Sequence, residues 1–326
     1  MHVGDGTALS PKNNSILVST LVGLPRIIEN GMEVDNIYQI KNVDISTGHV
    51  DFQGSVIIDG DVCEGMKVHA TGDISIGGFV ESATLEAGGD ITIGTGIIGK
   101  KQEVEDLDAS QINMSANIRA GGKVFAKYSQ YAEINCASLR IENQLMHNIV
   151  KVATTLWVGT EEKANGKLIA GYIRAGESVR AGTVGATAGS TTIISFQDKV
   201  NQYLDQIADA DELVTVESDK TTELKVAINK LKKLPKDKAK PEMLSKVIST
   251  YQHHAKSMGK YLNKKEALEE TLQEYMASVY VEATEKVYHG VQLNVGEFHD
   301  RTRREYGPSL LIYKERKIHV DPIVTT

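Results

Sequence analysis

The residues of this sequence best suited by type and spacing to bind a partner are lysines between positions 230 and 246. Only Asp237 and Glu242 dilute their positive charge. Clustered lysines attract acidic protein surfaces or anionic lipid headgroups. The alternative is a solvated helix face whose exposed ion pairs contribute little to stability. The pattern predicts a partner-binding surface that consists of Lys230, Lys232, Lys233, Lys236, Lys238 and Lys240.

Three aspartates, Asp61, Asp73 and Asp90, recur directly after glycine. Acidic residues clustered on one face could hold calcium in a polysaccharide lyase if a basic side chain stood nearby. A Gly-Asp pair is also typical of a tight corner, where the carboxylate accepts hydrogen bonds from backbone N–H groups. We predict this structural role for the three carboxylates.

The histidines lack the spacing that catalysis or metal binding requires. His49, His69 and His147 are isolated, whereas a hexapeptide acyltransferase needs a histidine in a groove between subunits. His253 and His254 are adjacent, whereas two metal ligands on one helix face are four residues apart. The Gly-Gly pairs precede strands rather than helices, which argues against a nucleotide-binding loop. The sequence therefore predicts no catalytic residue, no metal site and no cofactor.

A repeated sequence motif determines where the aspartates and histidines lie in the fold. Residues 70–77 read ATGDISIG, residues 87–94 read AGGDITIG, and residues 120–126 read AGGKVFA. Short apolar pairs that recur with glycine at about this period are typical of a β-solenoid. A left-handed hexapeptide helix would keep a strict six-residue step. The slip to seventeen residues per coil, with insertions at 99–108 and 161–166, therefore favours a right-handed parallel β-helix.

Apolar residues at steps of five and six predict a three-sided coil with these side chains inside and their polar neighbours outside. The predicted inward residues are Val62, Val68, Ile74, Val80, Leu85, Ile91, Ile97, Ile112, Ile118, Val124, Leu168, Ile173, Val179 and Val184. Glycine and aspartate are expected at the corners.

Between residues 197 and 285 glycine is nearly absent and charged residues are frequent. Apolar residues at alternating steps of four and three, interrupted by two prolines in segment 234–241, predict an inserted antiparallel coiled-coil hairpin of two α-helices. The seam is predicted to contain Val200, Leu204, Ile207, Asp211 and Val214 in the first helix. In the second helix it is predicted to contain Leu244, Ile248, Tyr251, Ala255, Met258 and Leu262, and, after a one-residue shift, Leu268, Leu272, Tyr275 and Val279. Acidic residues up to Glu282 are expected at the base of the hairpin.

The predicted fold is therefore mainly β, with four segments. They are an N-terminal β-hairpin region (1–55), the β-helix (56–196), the helical hairpin (197–285) and a C-terminal β segment (286–326) that returns to close the solenoid. The abrupt start at Gly4-Asp-Gly6 leads us to expect a longer protein.

The net charge of −7 and the isoelectric point near 5.8 argue against a nucleic-acid ligand. Residues 16–24 are apolar but have neither a basic start nor a cleavage site, so we expect no export signal and a cytoplasmic location. Cys63 and Cys136 are expected to be free thiols.

Several short motifs follow one another along nearly the whole chain. They are VDISTG at 43–48, VDFQG at 50–54, GDV at 60–62, EG at 64–65, ATLEAGGD at 83–90, GIIG at 96–99, GYIRAG at 171–176 and YHGV at 288–291. In this ordered set the sequence resembles the bacterial flagellar assembly protein A (FapA) family. The departures are an insertion around 100–108 and a weakened glycine pattern at 137–140.

This resemblance implies a right-handed β-helix with a coiled-coil appendage and without known catalytic residues. It also implies a cytoplasmic bacterial protein linked to flagellar or polar organisation, with further sequence upstream. The family's β-helix is similar to the C-terminal domain of the division inhibitor MinC, which binds a partner ATPase. The implied partners are a polar or MinD-like ATPase or a flagellar or signalling component.

We therefore expect a non-enzymatic scaffold or adaptor that binds partner proteins and forms homo-oligomers. A second candidate surface is the coil face expected to carry Thr84, Glu86, Thr92 and Thr95. The alternative is a carbohydrate-active β-helix enzyme, either a polysaccharide lyase or a hexapeptide-type acyltransferase. Glycan degradation with and without calcium would distinguish the two.

Overall fold

A computed structural model describes residues 2–21, 23–102, 113–187, 190–233 and 241–323. The chain forms two units. The first unit consists of Met1–Phe196 and Val279–Thr326 and is built from β-strands, and the second consists of Gln197–Ser278 and is built from two helices.

The strands of the first unit follow one another closely along the chain. Those before the solenoid are β1 (His2–Val3), β2 (Thr7–Ser10), β3 (Asn13–Ser19), β4 (Leu24–Ile28) and β5 (Gly31–Asp35). Those up to the first insertion are β6 (Ile37–Ile40), β7 (Val50–Phe52), β8 (Ser55–Ile58), β9 (Lys67–Ala70), β10 (Ile74–Ile76), β11 (Phe79–Glu81), β12 (Thr84–Ala87), β13 (Ile91–Ile93), β14 (Gly96–Ile98), β15 (Lys101–Gln102) and β16 (Asn113–Met114). Those up to the helices are β17 (Ala116–Ala120), β18 (Lys123–Gln130), β19 (Ala132–Cys136), β20 (Ser138–Val152), β21 (Thr155–Val158), β22 (Lys167–Ala175), β23 (Ser178–Val184) and β24 (Thr192–Ser195). Those after the helices are β25 (Tyr280–Val287), β26 (Val291–Val295), β27 (Phe298–Arg301), β28 (Ser309–Lys314) and β29 (Lys317–Pro322).

The solenoid begins earlier than residue 56. Strands β1, β5 and β4 form a small sheet and β2 and β3 form a hairpin, but β6 pairs in parallel with β8 and β7 with β9. Val43, which lies between β6 and β7, and Val50, which lies in β7, are both buried. The predicted N-terminal region of 1–55 is therefore too long, because residues 37–52 already pair as a first coil and do not pair with each other as a hairpin.

Each coil has three sides, as the apolar spacing predicted, and equivalent sides of successive coils pair in parallel. Face A consists of β6, β8, β10, β13 and β21 with the first parts of β18, β20, β23 and β25. Face B contains β11 and β14 with the later part of β18, the middle of β20 and the start of β22. Face C consists of β7, β9, β12, β17, β19, β24 and β26 with the last parts of β20 and β22.

The predicted inward residues form the core of this solenoid. Ile74, Leu85, Ile118 and Val179 are typical in being completely buried, and every other predicted position that the structure describes is buried as well. Ile112 lies outside the described residues. Each such aliphatic side chain stabilises the fold by about 1.5–3 kcal/mol because it is removed from water.

The C-terminal segment covers the last coil. Strands β25 and β26 complete a final parallel coil, after which the chain reverses direction. Strand β27 pairs antiparallel with β26, Tyr306 forms an antiparallel bridge with Val287, and β28 pairs antiparallel with β25. Strand β29 then pairs with β28. The reversed layer satisfies backbone groups that an open coil would leave unpaired.

The helical unit is shorter than the predicted 197–285. It consists of α1 (Gln197–Lys232) and α2 (Pro241–Ser278). Residues 280–285 are strand because their burial alternates with a period of two, with Val281 and Ala283 inside. The described helices include none with an apolar stretch long enough to cross a membrane.

The two helices pack antiparallel. The Tyr203 ring lies 5.8 Å from that of Tyr275, whereas Glu217, later in α1, contacts His254, earlier in α2. The buried and half-buried residues of α1 include Val200, Tyr203, Ile207, Ala210, Val214, Glu217, Thr221, Leu224, Ile228 and Leu231. Those of α2 include Leu244, Val247, Tyr251, His254, Met258, Tyr261, Lys265, Leu268, Leu272 and Tyr275.

Part of the predicted seam is therefore wrong. Leu204 and Leu262 are 47% and 37% exposed, and Asp211 is exposed. Tyr203, Ala210 and Tyr261 occupy the interface instead, and with Tyr261 the alternation of three and four continues without a shift. From Val200 the alternation can begin with a step of three or of four. Leu204 is the more apolar residue and was therefore predicted for the interface, but Tyr203 is the one that packs against α2, through Tyr275.

Candidate functional site

The predicted basic surface is described in part. Lys230 and Lys232 lie in the last turn of α1, Lys233 follows them, and all three side chains are exposed. Cations at the C-terminal end of a helix interact favourably with the helix dipole, which is a structural reason for their position. The other predicted members lie outside the described residues: Lys236, Lys238 and Lys240.

The Gly-Asp pairs have the structural role predicted for them. Asp61 Oδ1 accepts a hydrogen bond of 2.7 Å from the backbone N–H of Phe79 in the next coil. Asp73 Oδ1 accepts one of 2.7 Å from Asp90, and Asp90 Oδ1 accepts one of 2.7 Å from Lys123. Asp61 lies at the corner between faces A and B, whereas the other two lie at the corner between faces C and A. A calcium site of the lyase type would require the three carboxylates on one face, and they do not share one.

The glycine before each corner residue leaves room for a side-chain oxygen of the coil before it. This oxygen is Asn42 Oδ1 at Gly60 and Ser55 Oγ at Gly72, and it is a carboxylate oxygen at Gly89 and Gly122. A Cβ atom at Gly89 would overlap Asp73 Oδ1, and one at Gly122 would overlap Asp90 Oδ1. From Asp73 onward the motif thus accepts one carboxylate and, where aspartate follows, presents the next. Within the described ranges, no three histidine, cysteine, aspartate or glutamate side chains are placed to hold a metal ion.

Two histidines of the solenoid make contacts between successive coils. His49 Nδ1 accepts a hydrogen bond of 3.2 Å from the backbone N–H of Lys67. His69 Nδ1 lies 2.8 Å from Asp51 Oδ1 on face C. These contacts join the first two coils and account for both side chains.

The two adjacent histidines of α2 have different surroundings. His253 is exposed, whereas His254 points to α1, where its Nδ1 lies 2.6 Å from Glu217 Oε2. The hydrogen bond from His254 is the main reason that the pKa of Glu217 is lowered, and Lys220 Nζ, which donates to Glu217 Oε1 at 3.1 Å, lowers it further. The pair is a polar contact inside the helix interface.

Both cysteines are free thiols. Cys136 is buried, and this burial raises its pKa to about 12. Cys63 is partly exposed, and burial also raises its pKa. Neither thiol has the lowered pKa of a reactive cysteine.

A ladder of aromatic and arginine side chains, ended by a glutamate, runs along the outside of face A. Successive coils place Phe125, Arg140, Trp157, Arg180 and Glu282 at the same register position. Because neighbouring strands lie about 4.8 Å apart, the five residues span about 19 Å. We call these five residues the face A ladder.

The ladder is ordered by contacts among its own members and with one loop. The Arg140 guanidinium lies 4.6 Å from the Phe125 ring centre, and that of Arg180 lies 4.7 Å from Trp157. Arg140 Nη1 pairs with Glu161 Oε1 at 2.8 Å, and Arg180 Nε donates to Glu282 Oε2. The two arginine side chains remain 34% and 36% exposed. The ladder therefore presents planar, preorganised groups at the surface of face A.

Sequence reasoning missed this ladder, although a signal was present. Phe125, Arg140 and Trp157 each follow an inward aliphatic residue of the repeat. The coils that contain them differ in length, and the final rung, Glu282, comes 102 residues after Arg180. Glu282 was predicted to belong to the acidic base of the helical hairpin, but it lies on β25.

A groove lies at the corner between faces B and C. Its volume is about 720 Å3, and its lining includes Tyr131, His147, Ile149, Tyr172 and Ile193. Tyr131 and His147 stack at 5.1 Å and both have positive φ angles. The corner is thus a second outer surface with aromatic side chains.

The four residues of the second predicted surface, Thr84, Glu86, Thr92 and Thr95, do not lie on the same face of the solenoid. Thr84 and Glu86 point outward from face C, where Glu86 pairs with Arg119 at 2.9 Å. Thr92 points outward from face A, and Thr95 lies at the next corner. The prediction failed because steps of six along the chain move a residue to the next side of the coil.

One comparison with known proteins gives a match, and it covers nearly the whole chain. A family model described as the Flagellar Assembly Protein A beta solenoid domain matches residues 36–318. No curated protein and no solved structure matches the chain.

Proposed function

Because the chain belongs to the flagellar assembly protein A family, we propose that it is a non-enzymatic cytoplasmic scaffold that binds partner proteins through the outside of its solenoid. The family links the chain to flagellar assembly. The observation that carries the proposal is the face A ladder, and above all Trp157 between two arginines. The proposed partners are a polar or MinD-like ATPase or a flagellar or signalling component, bound at the cell pole.

The chemistry of the ladder supports this role. Tryptophan and arginine are the residue types that contribute most to binding at protein interfaces. The side chains of Arg140, Trp157 and Arg180 are held by ring contacts and hydrogen bonds, so they lose little conformational entropy on binding. We expect Trp157→Ala to weaken the complex by about 2 kcal/mol, or about thirtyfold.

The proposal is tested by photo-crosslinking in the source bacterium. A crosslinking amino acid at Thr155, beside the ladder, is expected to capture a flagellar component, whereas one at Thr84 on face C is not. Trp157→Ala with Arg140→Ala is expected to abolish the crosslink and swimming at an unchanged protein level. The matched control is Tyr128→Ala, because Tyr128 is an aromatic residue, 49% exposed, on face B. Normal crosslinking and swimming in the double variant would contradict the proposal.

We further propose a right-handed solenoid, a coiled-coil pairing of α1 and α2, and self-association of the chain. In this proposal the end of the helical hairpin docks an acidic partner surface or anionic lipid through its lysines. Replacement of Lys230, Lys232 and Lys233 by glutamate is expected to reduce flotation with anionic vesicles and capture of the partner identified above. Unchanged binding in both assays at low salt would exclude a role for these three lysines.

A further inference from the structure

The groove at the corner between faces B and C contains equivalent residues from three successive coils. Tyr131, His147 and Ala170 occupy the same position in these coils, because each directly follows a residue of one paired row. All three have positive φ angles, of 52°, 55° and 51°. Residues other than glycine seldom adopt such angles. We call these three residues the corner column.

The corner column changes from aromatic to small along the solenoid. The rings of Tyr131 and His147 stack with centres 5.1 Å apart and planes 6° apart, which occupies one face of the His147 ring. The next member, Ala170, has only a buried methyl group, so the column supplies no ring to the second face of His147. The groove includes this place, because its lining contains His147 and Ala170 together with Ser190 and Thr191 of the following coil. We call the place beside the second face of the His147 ring the slot.

The floor of the groove is apolar. Ile149, Tyr172 and Ile193 share one register position on successive strands of face C and point outward, and Tyr172 is 37% exposed. The groove has a volume of about 720 Å3, within the range of small-ligand sites, which are mostly apolar with a few polar groups that fix orientation.

The charged groups of the groove favour an anionic ligand. Among the described residues that line it, Lys101 and Arg174 are cationic and none is acidic. Arg174 lies on the same strand as Ala170. Glu133, in the same outward row as the floor of the groove, lies two coils away from that strand, at about 10 Å. A ring that carries a negative charge is therefore favoured over one that carries a positive charge.

We propose that the groove binds a small aromatic acid whose planar ring occupies the slot. The ring stacks on the second face of His147 and continues the stack that Tyr131 and His147 begin, while the anionic group lies on the side of Arg174. Stacked aromatic rings attract each other beyond the apolar area that they bury. This site is independent of the face A ladder.

The test measures binding of indole-3-propionate to the purified full chain by isothermal titration calorimetry. Two matched compounds separate the contributions of the ring and the charge. 3-Cyclohexylpropionate keeps the carboxylate without a planar ring, and tryptamine keeps the indole ring with a positive charge. Each is expected to bind at least about fivefold more weakly than indole-3-propionate, because the first cannot stack and the second is repelled by the cationic lining.

Two variants test the slot itself. Ala170→Tyr is expected to weaken binding at least about tenfold because its own ring fills the slot, and His147→Ala about threefold to tenfold because it removes the stacking face. Each variant introduces a residue type that another member of the corner column already carries at a positive φ angle, so we expect both to fold. The control is Tyr128→Ala, which removes an exposed ring on face B and should leave binding unchanged.

Several results would overturn the proposal. They are equal binding of either matched compound, unchanged binding in Ala170→Tyr or His147→Ala, and no binding at millimolar indole-3-propionate. An acetylated hexapeptide amide with one tryptophan between two glutamates tests the other class of ligand. Tighter binding of this peptide than of indole-3-propionate would show that the groove docks a protein segment, and the assignment to a small molecule would then be wrong.

Discussion

Replacement of Asn148 by alanine tests how successive coils are joined at the corner between faces B and C. The Asn148 side chain is fully buried in the solenoid. Its Oδ1 accepts hydrogen bonds from Ser129 Oγ at 3.0 Å and from the backbone N–H of Ala132 at 2.8 Å. Its Nδ2 donates to the carbonyl oxygens of Ser129 and Met146, both at 2.9 Å. One amide thus connects the backbone of two coils.

The size of the effect follows from the groups that the substitution leaves without this partner. The Met146 carbonyl also accepts a hydrogen bond from the N–H of Tyr131 at 3.3 Å, so it keeps one partner. The N–H of Ala132 and the carbonyl of Ser129 carry most of the cost. A buried group that loses its hydrogen bond costs about 1–3 kcal/mol, so we expect Asn148→Ala to lower the free energy of unfolding by about 3 kcal/mol.

The assay is urea denaturation followed by the fluorescence of Trp157, the chain's single tryptophan, which lies in the coil after Asn148. Asn135→Ala is the matched control, because Asn135 is exposed on face C and its loss should change stability by less than about 0.5 kcal/mol. A loss below about 1 kcal/mol for Asn148→Ala would refute the reasoning, because it would mean that water or a local shift replaces the hydrogen bonds of the amide.

Three further predictions concern single groups. Asp90→Ala removes the acceptor of the Lys123 N–H and should lower the free energy of unfolding by about 1 kcal/mol in the same urea assay; an unchanged midpoint would show that solvent replaces the carboxylate. Because His254 lowers the pKa of Glu217, the folded state binds this proton less readily than the unfolded state. The stability that ionised Glu217 contributes is therefore present above its usual pKa of 4.5 and is lost as the pH falls below that value. The melting temperature of α1 and α2, followed by circular dichroism, should accordingly fall less on acidification in Glu217→Gln than in the parent chain. The Cys136 thiol, with a pKa of about 12, should resist iodoacetamide at neutral pH until urea unfolds the solenoid; fast alkylation of the folded chain would show that this coil opens locally.

The solenoid core was predictable because it depends on local contrast. Ile74 and Ile91 alternate with polar neighbours, and the same alternation recurs in coil after coil, so their inward position needs no knowledge of distant residues. The role of Asp73 and Asp90 was predictable for a similar reason, since a carboxylate after glycine at a corner has backbone N–H groups within reach.

The helical seam was less predictable because two registers are compatible with the same sequence. Tyr203 and Leu204 are both able to pack, and the contact of the Tyr203 ring with Tyr275 in the partner helix distinguishes them. The end of α2 was misplaced for a related reason. Glu282 reads as one more acidic helix residue until Arg180 on the neighbouring coil is known to bind it.

Residue types and their spacing were enough to establish a three-sided solenoid and its inward side chains, because burial imposes the same local pattern on every coil. The outward surfaces follow no such pattern, since solvent accepts many residue types at those positions. Which outward residues become neighbours depends on coil lengths and insertions, and contacts such as Arg180 with Glu282 join residues 102 positions apart. The face A ladder therefore emerges only when the coils are stacked and β25 has returned beside β23.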